Sequence, residues 1–435
     1  MTSSLSSRLI LAGVNIALLL VFAEILGLAA YYADTGALFY VHRKSYPALL
    51  ETAQQALTAD ALHPYFGPTH RRGHPFHIPD DLREPEAGGA ATTTAPLATN
   101  NFGFVSRHDY PFRKTRDDQF LVGIFGGSVG LWFCHVGATR MIADLKQSNP
   151  FRNRDVIPLC FSHEGYKQPQ QLLVLSYFLS LGQQFDLVVN IDGFNEVALS
   201  AMNSAKGVDI SMPSPMHLDP LVNLIDQATL TPEKLYLLAD INRDKETLNG
   251  LVATIGRNRF ASANFVLERL YERTSRRYVS ELGRFASLRS NPASASLVEV
   301  TPPVVPRDAA ATYEDAATNW ATSSIMMSEL LSSRGVPYFH VLQPNQYFTQ
   351  RRFSDDEARV AINGESPFKE SVEQGYPALV RAAKMLKPPL HYLSAVELFD
   401  DAPEPVYMDD CCHYTLAGNR RLGSFIAESI LKALR

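Results

Sequence analysis

From residue 119 onward the sequence predicts an α/β fold, a doubly wound three-layer sandwich built on a parallel sheet. Two observations carry that prediction. Apolar runs of strand length alternate with longer amphipathic segments, and small or polar residues stand directly after several of the runs, where an open parallel sheet carries its ligand site. The predicted strands are 120–125 "FLVGIF", 157–161 "IPLCF", 186–191 "DLVVNI" and 337–342 "PYFHVL", with a weaker one near 390–394. Helices are expected at about 131–147, 169–181, 369–386 and 416–433.

Between the third and fourth strands lies a long excursion, residues 200–315, with a helical pattern around "SANFVLERLYERTSRRYVSELGRF". A structureless loop of that length is implausible in a domain, so a helical insertion or cap is expected. It ends in the Pro/Ala-rich "SNPASASLVEVTPPVVPRDAAAT", and 312–334 reads as the crossover helix returning to strand four.

Ahead of the sheet, residues 9–32, "LILAGVNIALLLVFAEILGLAAYY", are interrupted only by Asn15 and Glu24. As a helix this run reaches about 36 Å, against a hydrocarbon core of roughly 30 Å. A single transmembrane helix over residues 1–35 is expected. It is longer than a signal-peptide core, although "GLA" before Ala30 is a conceivable cleavage site. Arg8 on one side and Arg43 and Lys44 on the other leave its orientation open. Residues 36–115, rich in Pro, His, Arg and Gly and carrying "PEAGGAATTTAPLATNN" at 85–101, read as an extended linker. His70, His74 and His77 within it read as solvated, because Gly73 and Pro75 keep a helix from aligning them as ligands.

Composition narrows the function. The 435 residues, 46% hydrophobic and 20% charged, suffice for a sizeable core. A net charge of −5 provides no basic field for nucleic acid, which is not expected as a partner. The four cysteines, Cys134, Cys160, Cys411 and Cys412, lack zinc-type spacing and allow three pairings if oxidised. No metal or cofactor is expected, and Cys412 beside His413 reads as a packed or disulfide-bonded residue.

The chemistry turns on "LVGIFGGSVGLW" at 121–132. A phosphate loop needs Lys-Ser/Thr after its glycines, and a dinucleotide fingerprint needs G-x-G-x-x-G; neither pattern is present. A nucleophilic Ser128 instead needs a base and an orienting carboxylate, which Asp410 and His413 provide three apart near the C-terminus. Backbone N–H groups of Ser128 and Gly165 and the Asn195 amide supply three oxyanion donors, each worth on the order of 3 kcal/mol in the transition state. "GGSVG" also satisfies the nucleophile elbow of α/β-hydrolases. That fold, however, puts strands before its serine and its acid and histidine on separate loops. His135 and His163 are near enough in sequence to touch substrate, though positions on a helix surface or in a polar loop are the favoured reading.

Over residues 119–435 the sequence resembles the SGNH, or GDSL-like, hydrolase superfamily of the membrane-anchored bacterial type. The resemblance lies in "FGGS", "EGY", "GFNE" and "DDCCH", with "NNFGFV" at 101–106 similar to the segment preceding the nucleophile. It implies a flavodoxin-like sandwich over 116–435 with Ser128 as nucleophile, His413 as base and Asp410 as its partner. Ser128, Gly165 and Asn195 are implied as oxyanion donors. Gly127 replaces the Asp of Gly-Asp-Ser, and Glu196 the Asp that commonly follows the asparagine. The implied activity is a membrane-anchored serine esterase acting outside the cytoplasm on an O-acyl ester; the anchor makes an O-acetyl group of an envelope glycan the candidate substrate. An O-acyltransferase and a non-catalytic envelope-binding component are the alternatives.

Overall fold

The computed structural model describes residues 2–41, 60–83, 97–222, 231–288 and 307–434. Arg43, Lys44 and most of the low-complexity stretches at 85–101 and 290–312 lie outside them. In chain order the strands are β1 (Asp60–His63), β2 (Gly67–His70), β3 (Pro75–Phe76), β4 (Leu97–Ala98), β5 (Gln119–Gly126), β6 (Asp155–Cys160), β7 (Leu187–Asp192), β8 (Tyr338–Leu342) and β9 (His391–Ser394). The chain divides into two compact units: Met1–Thr58 with Asn223–Val298, and Ala59–Val222 with Glu299–Arg435.

The larger unit holds the sheet, ordered β6-β5-β7-β8-β9 with every neighbouring pair parallel. Counted from its first strand this is the order 2-1-3-4-5 of flavodoxin-like folds, so the expected fold class holds. Leu121, Val122, Ile124 and Phe125 of β5 and all of β7 and β8 are buried, as central strands covered on both faces must be. On one face Ala138–Leu145 packs with Leu416–Ala433; on the other Ala309–Ser332 packs with Gln170–Ser180, Phe194–Ala205 and Lys369–Ala382. Register brings Gly126, Ile191 and Leu342 to one end of the sheet, so the loops after these strands emerge together.

Part of the expected linker is folded. Residues 60–83 and 97–115 belong to the sheet unit, and Phe66, Phe104 and Tyr110 lie in its core. Phe66 packs on Tyr177 and Phe178, and the Tyr110 hydroxyl donates to the Cys160 carbonyl at 2.9 Å. Polar composition hid this, because three aromatics scattered over 45 residues do not read as a core.

The smaller unit pairs the N-terminal helix Thr2–Thr35 with an antiparallel hairpin of Pro232–Arg257 and Ala261–Ser287. The insertion is thus helical but shorter than 200–315, since 200–222 and 307–315 stay with the sheet unit. Ile241, Leu248 and Ile255 on one helix meet Tyr271 and Tyr278 on the other, a seven-residue spacing that keeps one seam facing the partner. The Glu24 carboxylate accepts hydrogen bonds from the N–H groups of Ala261 (2.6 Å) and Ser262 (3.1 Å), capping the second helix. At Gly27 a Cβ would stand 2.4 Å from the Ser262 nitrogen, so the close approach requires glycine. Residues 10–23 of the first helix are exposed throughout.

Candidate active site

The "GGS" turn after β5 is built for close approach. Gly126 has φ +146°, and a Cβ there would lie 2.2 Å from the Ile191 carbonyl oxygen. A Cβ on Gly127 would lie 2.1 Å from Asn195 Nδ2. The space that a side chain at position 127 would need is therefore already filled by the Asn195 amide. Ser128 then opens the helical segment Ser128–Trp132, half-buried at the sheet edge.

His413 reaches this serine from the other end of the chain. Its Nε2 is 2.8 Å from Ser128 Oγ. Its Nδ1 hydrogen-bonds to Oδ2 of Asp409, not of Asp410. The expected partner is corrected by one residue, and the backbone explains why. The N–H groups of Cys411, Cys412 and His413 curl around Asp409 Oδ1 at 3.0, 3.0 and 3.2 Å, which turns the other oxygen under the imidazole. Asp410 faces away, its Oδ2 accepting from Asn363 Nδ2 at 2.8 Å. Burial works to raise the Asp409 carboxyl, but the bonds from the His413 ring and from the backbone hold it down at about 2, an anion throughout the physiological range.

Three residues after β8, not singled out from the sequence, hold this loop. Asn345 Nδ2 donates to the Cys411 carbonyl (3.0 Å), Gln346 Nε2 to the Asp409 carbonyl (3.0 Å) and the Tyr347 hydroxyl to the Asp410 carbonyl (3.0 Å). Their only sequence signal is position, directly after a strand. The bridge Tyr407–Tyr414 closes the loop, and Thr415 caps the final helix by accepting from the Gly418 N–H. Cys411 and Cys412 are unpaired, with Sγ atoms 3.0 Å apart, and burial pushes the Cys412 thiol far up.

Asn195, buried near the start of Phe194–Ala205, donates from Nδ2 to the Tyr166 carbonyl at 2.8 Å, which leaves its second N–H uncommitted to that bond. Glu196 links two of the loops: Oε2 accepts from the Gly193 N–H (2.7 Å) and Oε1 from the Gln168 N–H (2.9 Å). Burial first, and then the nearby Asp192 charge, push it up to about 8. Gly165 has φ +73°, and a Cβ there would meet the His217 ring at 2.3 Å. His217 therefore provides a reason for this glycine that the sequence pattern did not reveal.

The remaining histidines are placed differently from expectation. His135 is buried, which pushes it down to about 4, and it lines a cavity with Arg107, Cys134 and Cys160. His163 is buried and stacked on Tyr166. His70, read as a solvated linker residue, lies between Asp60 and Glu164. Cys134 and Cys160 form a disulfide, one of the pairings the sequence allowed.

Among known proteins, no family model matches this sequence, and no curated protein matches it. Among solved structures, the crystal structure of the lipase Lip_vut3 from goat rumen metagenome is similar at a TM-score of 0.34 and 10% identity. The similarity covers 71% of this chain and 97% of that one. At that level it bears on neither fold nor chemistry, which rest on strand order and side-chain geometry.

Proposed function

We propose that this protein is a serine esterase working through an acyl-enzyme. The observation that carries the reading is the relay in which Ser128 Oγ lies 2.8 Å from His413 Nε2 while Asp409 holds Nδ1. Asp409 accepts from Nδ1–H, fixes the tautomer and leaves the Nε2 lone pair facing the hydroxyl. As Ser128 Oγ bonds to an ester carbonyl carbon, its proton passes to His413 Nε2 and Asp409 stabilises the imidazolium. The same proton then goes to the departing alkoxide, the C–O bond breaks and the acyl group stays on Ser128. A water, or the hydroxyl of an acceptor in a transferase, then gives its proton to Nε2 as its oxygen bonds to the acyl carbon; the bond to Ser128 Oγ breaks and Oγ takes the proton back from Nε2. The backbone N–H groups of Ser128 and Gly165 and the free N–H of Asn195 are the proposed donors to the oxyanion.

The substrate proposed is an O-acyl ester, with an O-acetyl group on an envelope glycan as the first candidate. The chain is proposed to be retained in a membrane by its N-terminal helix, with the esterase unit outside the cytoplasm. The helix Ile10–Thr35 is long and apolar enough for a span, and the Cys134–Cys160 disulfide fits an oxidising compartment. Ser128→Ala should lose labelling by a fluorophosphonate probe and reduce turnover of an acetyl ester by about 10⁶-fold. Retention of both activities would overturn the assignment. Product analysis with and without glycan acceptors distinguishes transfer from hydrolysis.

A further inference from the structure

Beside the serine site, but outside its relay, the β1–β2 hairpin meets the loop after β6. Ligand atoms of Asp60, His70 and His163 all lie within 4.8 Å of one another here. His70 Nδ1 is 3.0 Å from Asp60 Oδ1, and His70 Nε2 is 3.1 Å from Glu164 Oε2. His163, 2% exposed, has Nδ1 2.9 Å from the Glu164 carbonyl oxygen. A carbonyl only accepts, so Nδ1 carries the proton and Nε2 keeps a lone pair. That Nε2 is buried with no hydrogen-bond partner.

We propose that Asp60, His70 and His163 form a binding site for a divalent transition cation of the Zn²⁺ class. Two occupants fit between His70 Nδ1 and Asp60. A proton makes an imidazolium–carboxylate pair, which satisfies His70 but leaves the His163 lone pair buried and unused. A cation takes all three ligands at once.

The far side of each imidazole fits the second arrangement. His163 Nδ1–H donates to a backbone carbonyl, the kind of outer bond that fixes ring orientation and tautomer in a histidine ligand, and His70 Nε2 lies in an ion-pair contact 3.1 Å from Glu164 Oε2. Two imidazoles and one carboxylate suit Zn²⁺, with a fourth position left for water. The sequence obscured this group by spreading it over 104 positions and placing His70 in an apparently unstructured stretch. A bound cation ties the hairpin to the loop that bears Gly165. The proposal stands independently of the chemistry at Ser128, because its readout is binding.

The test uses the full chain in detergent, stripped with a chelator and titrated with Co²⁺ under a visible spectrum and with Zn²⁺ by calorimetry. One equivalent should bind, with d–d bands of four- or five-coordinate cobalt and no thiolate charge-transfer band. His163→Gln, which cannot replace the ring nitrogen, should weaken binding at least 100-fold. If that variant does not fold, Asp60→Asn on the hairpin makes the same comparison with an expected loss of at least tenfold. Absence of stoichiometric binding in the wild type overturns the site in favour of the proton. So does undiminished binding by a folded variant, or a thiolate band placing the metal at Cys411 and Cys412.

Discussion

The sheet unit holds two Ser–His–Asp chains, and they differ in what surrounds them. At the sheet edge Ser128 meets His413 Nε2 at 2.8 Å, with Asp409 on the other nitrogen. In the core Ser324 Oγ meets His340 Nδ1 at 2.6 Å, and His340 Nε2 meets Asp192 at 2.7 Å. By distance the two are equivalent. Yet Ser324 and His340 are fully buried, and Asp192 also accepts from Trp320 Nε1 (2.6 Å) and Asn190 Nδ2 (2.6 Å). In the inner chain the hydroxyl, the imidazole and the carboxylate are all buried and hydrogen-bonded within the core. The outer one has a half-buried hydroxyl on a glycine turn with an amide beside it. Residue types and hydrogen bonds alone therefore do not mark Ser128 rather than Ser324 as the proposed nucleophile; access and nearby donors do.

Substitutions can break this comparison. The largest effect in the outer chain, after Ser128 itself, belongs to its carboxylate. Asp409→Asn should lower kcat by about 10⁴-fold by offering the imidazole the wrong partner, while Asp410→Asn should leave kcat within about twofold, both read as ester turnover. Equal losses would return the role to the residue that the Asp-x-x-His spacing favours. Next comes Asn195→Ala, expected to cost about 10²–10³ in kcat with KM little changed, as for a donor acting in the transition state.

The inner chain should respond in stability rather than rate. Ser324→Ala leaves His340 Nδ1 without its partner and should lower stability by about 1–3 kcal/mol in urea unfolding, with ester turnover per folded molecule unchanged. A pH slope is expected as well. Glu196 titrates higher folded, at about 8, than its ordinary 4.5, so its contribution to stability is full below pH 4.5 and is lost as pH rises through 8. Glu196→Gln should flatten that fall, worth at most about 1.4 kcal/mol per pH unit, in unfolding series at pH 5, 7 and 9.

The sheet was legible because four of its strands are largely apolar runs, with β9 the weak one, and Ser128, Gly165 and Asn195 were legible because each follows such a run within a few residues. Asp409 was not, because adjacent aspartates precede the same histidine and only the curl of three backbone N–H groups selects between them. The β1–β2 hairpin was not legible either. Its strands are four residues long, and Phe66 is buried by Tyr177 and Phe178, more than 100 positions away. Asp192 at the end of β7 and His340 in the middle of β8 look like ordinary strand residues until 148 positions of chain fold to bring them together.

The Glu24 cap on the helix Ala261–Ser287 has a consequence for the order in which the protein is made. The helix Thr2–Thr35 is made before the hairpin and carries a carboxylate whose two backbone partners are synthesised 237 and 238 residues later. Until then the Tyr40 hydroxyl, 2.8 Å from Glu24 Oε1, is the nearer partner that the chain itself offers. An enzyme that removed the N-terminal helix early would leave the later hairpin without the group that closes its helix start.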